Sequence, residues 1–257
     1  MKRYKAIAAY YDADNERLEM LKHDVPFFLG QLPKKRQDIL ELAVGTGRAA
    51  IPLAQAGHRV VGIDYVEDML AIARSKRDAV GLAEKQLKLV RQDALKLNLR
   101  QRFDWIVILF NTLLAFTTLD ELDRVLQNVR RHLRPKGRFW LDVFNPDHER
   151  LAREREYGLD RDVFHVAELD RTVFRSTDIV RDMSQQRMRI TTRYRWFDAF
   201  GRESREKFVF DMTCIFPREL HVLLERNGLR VEHLWGNYDG SPFTKSSPRM
   251  IARCVRA

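Results

Sequence analysis

The sequence predicts an α/β protein, in which a doubly wound, mostly parallel sheet of seven strands carries an inserted antiparallel β-sheet. Two observations support this fold class. Up to residue 145, strand-like and helical segments alternate five times, which is typical of parallel strands joined by helices. After about residue 147, segments rich in β-branched and aromatic residues follow one another without helices, and helical periodicity returns only at residue 217.

The strands of the first half are apolar, and several of the helices carry recognisable boundary signals. Residues 39–44 form a strand that ends in a glycine turn, and Gly57 caps the helix predicted over 48–56. The segment 104–110 is almost entirely apolar, as expected of a strand that is covered by helices on both faces. The other predicted strands of this half are 58–64, 87–93 and 137–144, and the other helices are 69–79 and 119–133.

The second half predicts an antiparallel sheet followed by a return to the first sheet. Its four strand-like segments are 163–168, 171–180, 186–197 and 203–213. The turn residues 198–201 suit a hairpin between the last two of them. A helix begins at Pro217 and is capped by Gly228, after which strands near 229–235 and 249–256 complete the parallel sheet.

We therefore expect three parts in the chain. These are an N-terminal helical lid over 1–37, a ligand-binding domain made of 38–150 and 214–257, and a substrate cover formed by the inserted sheet over 151–213.

Composition sets the broad class of the protein. The 257 residues are 45% hydrophobic and include 15 Phe, which is ample for a core and excludes a disordered chain. The sequence has no run of 18 apolar residues and no hydrophobic region typical of a secretion signal. Cys214 and Cys254 have no metal-ligand spacing and cannot form a disulfide framework. We expect a cytoplasmic protein with two reduced thiols, without a metal site or a membrane partner.

The formal net charge of +10 suggests an anionic partner, and arginine dominates it, with 34 Arg against 12 Lys. The charge is spread along the chain, however. Its densest run, residues 130–136, falls at a predicted helix C-terminus, where the helix dipole favours cations. No series of arginine and aromatic residues of the kind that stacks nucleobases stands out. The charge therefore does not predict nucleic-acid binding, although it is consistent with an anionic small-molecule acceptor.

The turn at Gly45–Gly47 has the residues of a loop that binds a nucleotide. A glycine turn between a buried strand and a helix exposes backbone N–H groups at the positive end of that helix. Residues 45–50 satisfy the G-x-G-x-x-A form of the dinucleotide fingerprint, and Asp64 follows 17 residues after Gly47, where a carboxylate accepts ribose hydroxyls. On these residues alone, an NAD(P)-binding oxidoreductase remains open.

Three further features favour an adenosyl cofactor with an amino-acid end. Glu41 interrupts the first strand, and a buried carboxylate is costly unless it meets a cation such as the ammonium group of a methionine-like moiety. The loop lies more than 40 residues into the chain, which leaves an N-terminal arm to cover it. Asp93 ends the third strand, where its carboxylate can accept from an exocyclic adenine amine.

Seven sequence blocks together resemble the class I S-adenosylmethionine-dependent methyltransferases. The first and longest match is ELAVGTGR (41–48) followed by VVGIDYVEDMLAIAR (60–74). The later blocks follow in order: RQDALKLNL (91–99), FDWIVILFNTLLAF (103–116) and HLRPKGRFWLDVFNP (132–146). The segments IAAYYD (7–12) and GNYDGSPFTKSSPRMI (236–251) are similar to the small-molecule branch with a β-sheet insertion, which includes glycine N-methyltransferase and amino-sugar N,N-dimethyltransferases. The resemblance is weakest over about 150–200.

The resemblance implies S-adenosyl-L-methionine as cofactor, S-adenosyl-L-homocysteine as product and a Rossmann-like fold. It also implies a set of cofactor-binding residues: Tyr11, Glu41, Ala43, Gly45, Thr46, Gly47, Asp64, Tyr65, Met69, Asp93, Ala94, Leu109 and Phe110. Val44 departs from the family, whose members often have Cys or Ser there, and its side chain is expected to pack.

Each of these residues has an implied role. Glu41, Ala43 and residues 45–47 would line the methionine end of the cofactor, and Leu109 and Phe110 would contact the amino-acid portion through their backbone. Asp64 would bind the ribose hydroxyls, with Tyr65 and Met69 against the adenine. Asp93 and the backbone of Ala94 would bind the adenine edge. Tyr11, beside Tyr10, would act as the lid.

The residues do not assign a catalytic group. A base is needed only if the methyl acceptor arrives protonated. The candidates expected near the carboxyl ends of the fourth and fifth strands, or in the inserted sheet, are Asn111, Asn145, His148, His165, Arg195, Trp196 and Tyr238. Among them, His148 is the candidate base and Arg195 the candidate anchor for an acidic acceptor.

The leading hypothesis is methyl transfer to nitrogen or oxygen of a small molecule, with a homodimer through the inserted sheet as a further expectation. An RNA or protein methyltransferase that uses the basic surface is the first alternative, and an NAD(P)-binding oxidoreductase is the second. Nucleic acid is disfavoured because the insertion would close the cleft and because no separate RNA-binding module is visible in the sequence.

Overall fold

The computed structural model of the chain describes residues 8–257. Its helices are α1 (Ala8–Glu16), α2 (Asp24–Gln31), α3 (Ala50–Gln55), α4 (Glu67–Ala79), α5 (Leu119–His132), α6 (His148–Leu151) and α7 (Pro217–Arg226). Its strands are β1 (Asp38–Leu42), β2 (Arg59–Asp64), β3 (Leu87–Arg91), β4 (Phe103–Ile108), β5 (Leu133–Phe144), β6 (Arg155–Val166), β7 (Arg171–Asp182), β8 (Arg187–Phe197), β9 (Glu203–Thr213), β10 (Leu229–Trp235) and β11 (Arg249–Arg256).

Seven strands form the main sheet in the order β10-β11-β5-β4-β1-β2-β3. Strands β1 to β5 pair in parallel, whereas β11 is antiparallel to both of its neighbours, β5 and β10. The predicted fold class is therefore confirmed. Because β1 lies between β2 and β4, the strand order reverses beside it, and ligands of open α/β sheets bind at the carboxyl ends of strands at such a point.

The alternation of side chains along β1 explains why the strands of this sheet are apolar. Leu40 and Leu42 belong to the apolar layer that contains α5 and α7, whereas Ile39 belongs to the layer on the other face, with α2, α3 and α4. All three side chains are no more than 1% exposed. Burial on both faces is what an almost continuous apolar run predicts.

The inserted sheet is antiparallel, with the strand order β6-β7-β8-β9, and the hairpin at residues 198–201 has Gly201 at a φ of 74°. One boundary was wrong, because strand β6 begins at Arg155 and not at 163, and residues 167–169 form a 3-10 turn. Two register shifts interrupt the pairing of β6 with β7 between Glu156 and Asp162. These irregularities remove the strict alternation that would have marked the start of the strand.

Other boundaries differ by a few residues. The helix predicted over 48–56 spans Ala50–Gln55, because the glycine turn continues through Ala49. Strand β5 starts at Leu133 directly after α5, four residues before the predicted start at Gly137. No helix in the part of the chain that the structure describes is long and apolar enough to cross a membrane.

Helix α1 lies between the two sheets. On one face, the ring of Tyr10 stacks on Tyr194 of β8 at 5.4 Å, and Asp14, one turn later, accepts the Tyr194 hydroxyl at 2.9 Å. On the other face, Tyr11 lies against the glycine loop. The lid predicted over 1–37 therefore includes α1 and α2, while its residues 1–7 lie outside the described part; the three-part division with its exact boundaries stays a prediction.

Candidate cofactor-binding site

The loop after β1 has an unusual backbone. Ala43, Gly45 and Gly47 all have positive φ, at 55°, 55° and 84°. At Gly47 a Cβ would lie 3.1 Å from Ile51 Cδ1, so both conformation and space favour glycine there. Ala43 has no such freedom, and its left-handed conformation costs about 1–2 kcal/mol. Strain of this kind persists at sites that bind ligands.

Val44 packs inside the loop, as its departure from the family pattern led us to expect. Its side chain is 4% exposed and lies over Gly62 of β2, where an added Cβ would come within 2.6 Å of Val44 Cγ2. Gly62 therefore makes room for Val44, and the two residues set the spacing between the loop and β2.

Asp64 holds the loop to the end of β2. Its Oδ2 accepts the Gly45 N–H at 2.9 Å and its Oδ1 accepts the Val66 N–H at 2.9 Å. Burial raises the pKa of this carboxyl, and the backbone N–H groups oppose that rise. Each carboxylate oxygen has more than one lone pair, so Asp64 can hold the loop and still accept two ribose hydroxyls.

Glu41 is a buried carboxyl that lacks a full set of partners. It is 5% exposed, and its Oε2 has no hydrogen-bond partner among the described residues. Burial raises the pKa of Glu41 to about 8; nearby Asp24 and Asp64 raise it further, and Arg48 opposes them. A buried acid in this state is stabilised by a ligand cation. Glu41 therefore fits the ammonium group at the methionine end of S-adenosylmethionine.

Arg48 joins the loop to α2, a contact that the sequence reasoning missed. Its guanidinium forms a fork with Asp24, with distances of 2.8 Å to Oδ1 and 2.6 Å to Oδ2, and Asp24 is only 2% exposed. The signal was an arginine directly after the glycine turn, but nothing in the sequence indicated its partner 24 residues earlier.

The lid contacts the loop through Tyr11 and Asp12. The Tyr11 ring lies 3.9 Å from the point where a Cβ on Gly45 would be, and burial raises the pKa of its hydroxyl. Asp12 accepts from Thr46 Oγ1 at 2.6 Å and pairs with Lys76 of α4 at 2.5 Å. The structure thus places Tyr11 beside the loop and adds Asp12, which bonds to Thr46 within it; the cofactor contacts of Tyr11 and Thr46 stay predictions.

The residues expected at the adenine lie at the ends of β2 and β3. Tyr65 is 44% exposed, whereas Met69 is 2% exposed and packs in the apolar cluster beneath α1. Asp93 Oδ1 accepts the Leu95 N–H at 2.9 Å and so caps the short turn that contains Ala94. Their positions are compatible with the implied adenine contacts, which stay predictions.

A second strained segment follows β4. Leu109 is 6% exposed, and Phe110 and Asn111 both have positive φ, at 48° and 62°. The Asn111 side chain is already engaged, because its Oδ1 accepts the Phe144 N–H at 2.8 Å. Asn111 therefore joins the ends of β4 and β5. This is a structural role, whereas the sequence had suggested Asn111 as a candidate for catalysis.

Asp142, Tyr238 and Arg249 form a buried polar cluster directly behind this segment. Asp142 is 0% exposed; its Oδ1 accepts two N–H groups of Arg249 at 2.8 and 2.6 Å, and its Oδ2 accepts the Tyr238 hydroxyl at 2.6 Å. The Phe110 N–H also donates to Oδ2, at 3.3 Å. Burial and Asp142 raise the pKa of Tyr238, so its hydroxyl is a fixed donor at neutral pH. An acid inside the apolar run 139–144 is the same signal that singled out Glu41, and it was missed.

The two histidine candidates and Asn145 have partners outside the loop. His148 is exposed and stacks on Phe216 at 5.4 Å, and His165 pairs with exposed Asp170 at 3.6 Å. Asn145 donates to the backbone oxygen of Ser247 at 2.9 Å.

The structure does not bring Arg195 to the site either. It pairs with Glu203 at 3.4 Å, and its side chain is 48% exposed. Along β8 the even-numbered side chains, such as Tyr194, are buried, so Arg195 lies on the outer face of the inserted sheet. Trp196 faces inward instead, and the guanidinium of Arg171 lies 4.5 Å from its ring centre.

Comparisons with known proteins agree with this arrangement. The sequence model of the family described as "Methyltransferase domain" matches residues 39–137. The chain is similar to the cypemycin N-terminal methyltransferase of Streptomyces sp, with 27% identity over 85% of this chain and 83% of that protein. It is also similar to the demethylmenaquinone methyltransferase of Thermus thermophilus, with 34% identity over 56% of this chain and 64% of that protein.

Solved structures show the same fold. The CcbJ methyltransferase of Streptomyces caelestis matches with a TM-score of 0.76 and 24% identity, over 92% of this chain and 89% of that one. The sugar N-methyltransferase KedS8 of Streptoalloteichus sp matches with a TM-score of 0.73 and 22% identity, over 96% and 93% of the two chains. The family match shows that residues 39–137 carry a methyltransferase domain, and the relatives, the fold and the loop that Glu41 and Asp64 flank agree with a class I S-adenosylmethionine-dependent methyltransferase.

Proposed function

We propose that the chain methylates an amine nitrogen of a small-molecule acceptor. The observation that carries this proposal is the closed form of the site, in which one short helix contacts both the glycine loop and the inserted sheet. Two similar proteins support nitrogen as the acceptor atom, because one is named a sugar N-methyltransferase and the other an N-terminal methyltransferase, and a free peptide N-terminus is an amine. Oxygen remains the alternative acceptor atom.

The roof over the site is built by α1 and the inner face of the inserted sheet. Asp14 accepts from Arg175 at 3.0 Å and from the Tyr194 hydroxyl at 2.9 Å, which ties α1 to β7 and β8. Asp12, two residues earlier, bonds to Thr46 on the loop. An acceptor must therefore fit beneath a short helix that is held from two sides, which favours a small molecule or a chain end over the middle of a polymer.

The residues of the chain contribute binding and alignment to the reaction. Glu41 would hold the ammonium end of the cofactor, Asp64 the ribose hydroxyls, and Asp93 the adenine edge. S-adenosylmethionine supplies an electrophilic methyl group, so alignment of the acceptor with that group is the main catalytic requirement, and good orientation accounts for up to about 7–11 kcal/mol of a barrier. Closure by Tyr11 and α1 would exclude water from the reacting atoms.

No side chain at the site is assigned as a general base. A neutral amine carries its own lone pair and needs no base before transfer. The raised pKa of Tyr238 and its bond to Asp142 make this residue a support for the Phe110–Asn111 segment.

A peptide N-terminal amine is the second candidate acceptor. The cypemycin N-terminal methyltransferase matches over 85% of this chain, including the inserted sheet in part. A free peptide terminus and an amino sugar both present an amine at the end of a molecule, so the same roofed site suits either. The homodimer expected from the sequence stays a prediction. The anionic acceptor stays one too, and Arg195, its proposed anchor, lies on the outer face of the inserted sheet.

The first experiment tests the cofactor. S-adenosylhomocysteine at 100 times its dissociation constant should stabilise the protein by about 2.7 kcal/mol in a thermal-shift assay, and NADH should not. Asp64→Ala should abolish the shift, whereas Asp120→Ala, which removes a 71% exposed carboxylate of α5, should preserve it. A shift with NADH alone would instead identify a dinucleotide-binding protein.

The second experiment tests the acceptor. The protein is incubated with a labelled methyl donor and, separately, with amino sugars, short peptides with free or acetylated N-termini, and structured RNA. We expect label in a small amine or a free peptide terminus. Incorporation into RNA alone, with affinity that collapses at moderate salt, would contradict the proposal and favour the RNA alternative.

A further inference from the structure

A separate cavity of about 650 Å³ lies at the opposite end of the seven-stranded sheet from the glycine loop, where the C-termini of α5 and α7 meet. Its volume falls within the usual range for small-molecule sites. The lining residues are charged or polar apart from Gly228, and none of them is aromatic. Five of them are arginines: Arg102, Arg130, Arg131, Arg226 and Arg256.

Three of the five arginines are fixed by bonds to groups around the cavity. Arg226 forms a fork with Asp123. Arg131 donates to the backbone oxygen of Leu97 and, at 2.8 Å, to Asn128 Oδ1, and Arg256 donates to a backbone oxygen of β5 at 3.3 Å. Carbonyl partners hold a guanidinium in place without neutralising its charge, so Arg131 and Arg256 remain available to an anion.

The other two arginines, Arg102 and Arg130, form no hydrogen bond or ion pair within residues 8–257. Arg130 lies directly against the backbone of Gly228, where a Cβ would collide with its Nε. Gly228 has a φ of 68°, so glycine both ends α7 and makes room for this guanidinium. Arg226 is thus the one cavity arginine with an ion pair in the described part of the chain, and Glu225 is the one acid in the lining.

The pKa of a buried histidine next to the cavity is affected by the charges of two of its arginines. His132 is 3% exposed, and its Nε2 accepts the Leu99 N–H at 3.0 Å. Burial is the main cause that lowers the pKa of His132; the bond to the backbone oxygen of Asn128 opposes this, and the charges of Arg131 and Arg102 add to the lowering.

The helix C-termini alone do not explain this arrangement. A helix dipole attracts a basic side chain by about 0.3–1 kcal/mol, which accounts for single arginines at the ends of α5 and α7. It does not account for Arg102, which lies in the loop just before β4, or for Arg256, at the end of β11. Two helices, one strand and one loop therefore contribute guanidinium groups to one concave surface.

We propose that this cavity binds an anion with two or three linked phosphate groups. Guanidinium groups bind phosphate oxygens through paired hydrogen bonds, and several of them around one cavity match several linked phosphates. Since no aromatic ring lines the cavity, a nucleobase would find no stacking partner there. The amides of Gln127 and Asn227 can donate to further phosphate oxygens. The bound group comes from a free polyphosphate or from the phosphate chain of a nucleotide.

Isothermal titration with inorganic tripolyphosphate at 0.15 M KCl tests the proposal, with ATP and a nucleoside as parallel titrants. We expect saturable binding of tripolyphosphate and none of the nucleoside; ATP that binds as tightly would show that the phosphate chain is recognised in either source. The double variant Arg102→Ala/Arg130→Ala should weaken binding at least tenfold. Neither residue has a hydrogen-bond or ion-pair partner among residues 8–257, so circular dichroism and the binding of S-adenosylhomocysteine should be unchanged.

Arg124→Ala is the matched control, because Arg124 lies on α5, is 62% exposed and pairs with Asp120 outside the cavity. It should bind tripolyphosphate as the unmodified protein does. Equal binding by the double variant, or an equal loss in Arg124→Ala, would overturn the proposal. Absence of tripolyphosphate binding at 0.15 M KCl would overturn it too, and RNA binding that Arg102→Ala/Arg130→Ala then removed would show a nucleic-acid surface instead.

Discussion

Replacement of Glu41 by Gln should abolish the release of a proton that we expect when the cofactor binds. The change keeps the shape of the side chain and removes its charge. Glu41 has a pKa of about 8 in the folded protein, against an ordinary value of 4.5. At pH 7 the carboxyl is therefore about 90% protonated before the cofactor binds. Pairing with the ammonium group of the ligand requires the ionised form, so binding at pH 7 should release about 0.9 proton.

The raised pKa of Glu41 also makes the stability of the ligand-free protein depend on pH. Because folding raises the pKa of Glu41, the contribution of this group to stability is complete below about pH 4.5 and is lost as the pH rises to about 8. Over that window the free energy of unfolding should fall by up to about 1.4 kcal/mol per pH unit relative to Glu41→Gln. Between pH 5.5 and 7.5 the difference between the two proteins should therefore change by about 2–3 kcal/mol.

Calorimetry measures the proton directly. S-adenosylhomocysteine, which has the same amino-acid end as the cofactor, is titrated at pH 7 in two buffers whose ionisation enthalpies differ. The dependence of the observed enthalpy on the buffer gives the number of protons released. Between pH 6 and 7, where an α-ammonium group stays mostly protonated, affinity should rise by up to about tenfold for the unmodified protein. Glu41→Gln should release no proton, bind about 10- to 100-fold more weakly and show no such rise.

Two results would refute this reasoning. A proton release near zero for the unmodified protein would mean that Glu41 is already ionised or does not meet the ammonium group. An equal release by Glu41→Gln would assign the proton to another group. Urea unfolding at pH 5.5 and 7.5 is an independent check, since it needs no ligand.

Three further substitutions follow from the strained and buried groups. Ala43→Gly should raise the free energy of unfolding, measured in urea, by about 0.5–1 kcal/mol. The relief of the left-handed strain at this residue exceeds the entropy that glycine adds to the unfolded chain. A decrease would show that the Ala43 methyl group packs against its surroundings. Asp142→Ala should lower the free energy of unfolding by about 3–5 kcal/mol, because it leaves Arg249 buried without a partner. The double change Asp142→Leu/Arg249→Met should lower it much less. Equal losses in the two variants would contradict a role for the uncompensated charge. Tyr238→Phe should lower stability by about 1.5–3 kcal/mol and leave the pH profile of methyl transfer unchanged; loss of one limb of that profile would make Tyr238 a proton donor or acceptor.

The sequence predicted the main sheet well because its signals are local. The apolar strands, the glycine turn after β1 and the caps at Gly57 and Gly228 each depend on residues within one element. Strand β6 was placed eight residues late, since its bulged pairing with β7 destroys the alternation that identifies a strand.

In the candidate site, too, residues with local signals were found from the sequence, whereas a residue whose position depends on strand register was misplaced. Glu41 and Asp64 could be found because an acid at the end of an apolar strand is visible in the sequence. Arg195 was the opposite case, since a single residue of register decides which face of β8 a side chain occupies. The strand pairing places Arg195 outside and Tyr194 inside.

By itself, the sequence determined the fold class, the glycine loop and the acids that flank it, because backbone conformation and burial of a strand follow from neighbouring residues. Only the tertiary structure decided which distant groups meet. Asp142 and Arg249 are 107 residues apart and form one buried ion pair, and the arginines of the second cavity come from four separate segments of the chain. Such contacts depend on how the strands are ordered in space, and no local pattern of residues contains that order.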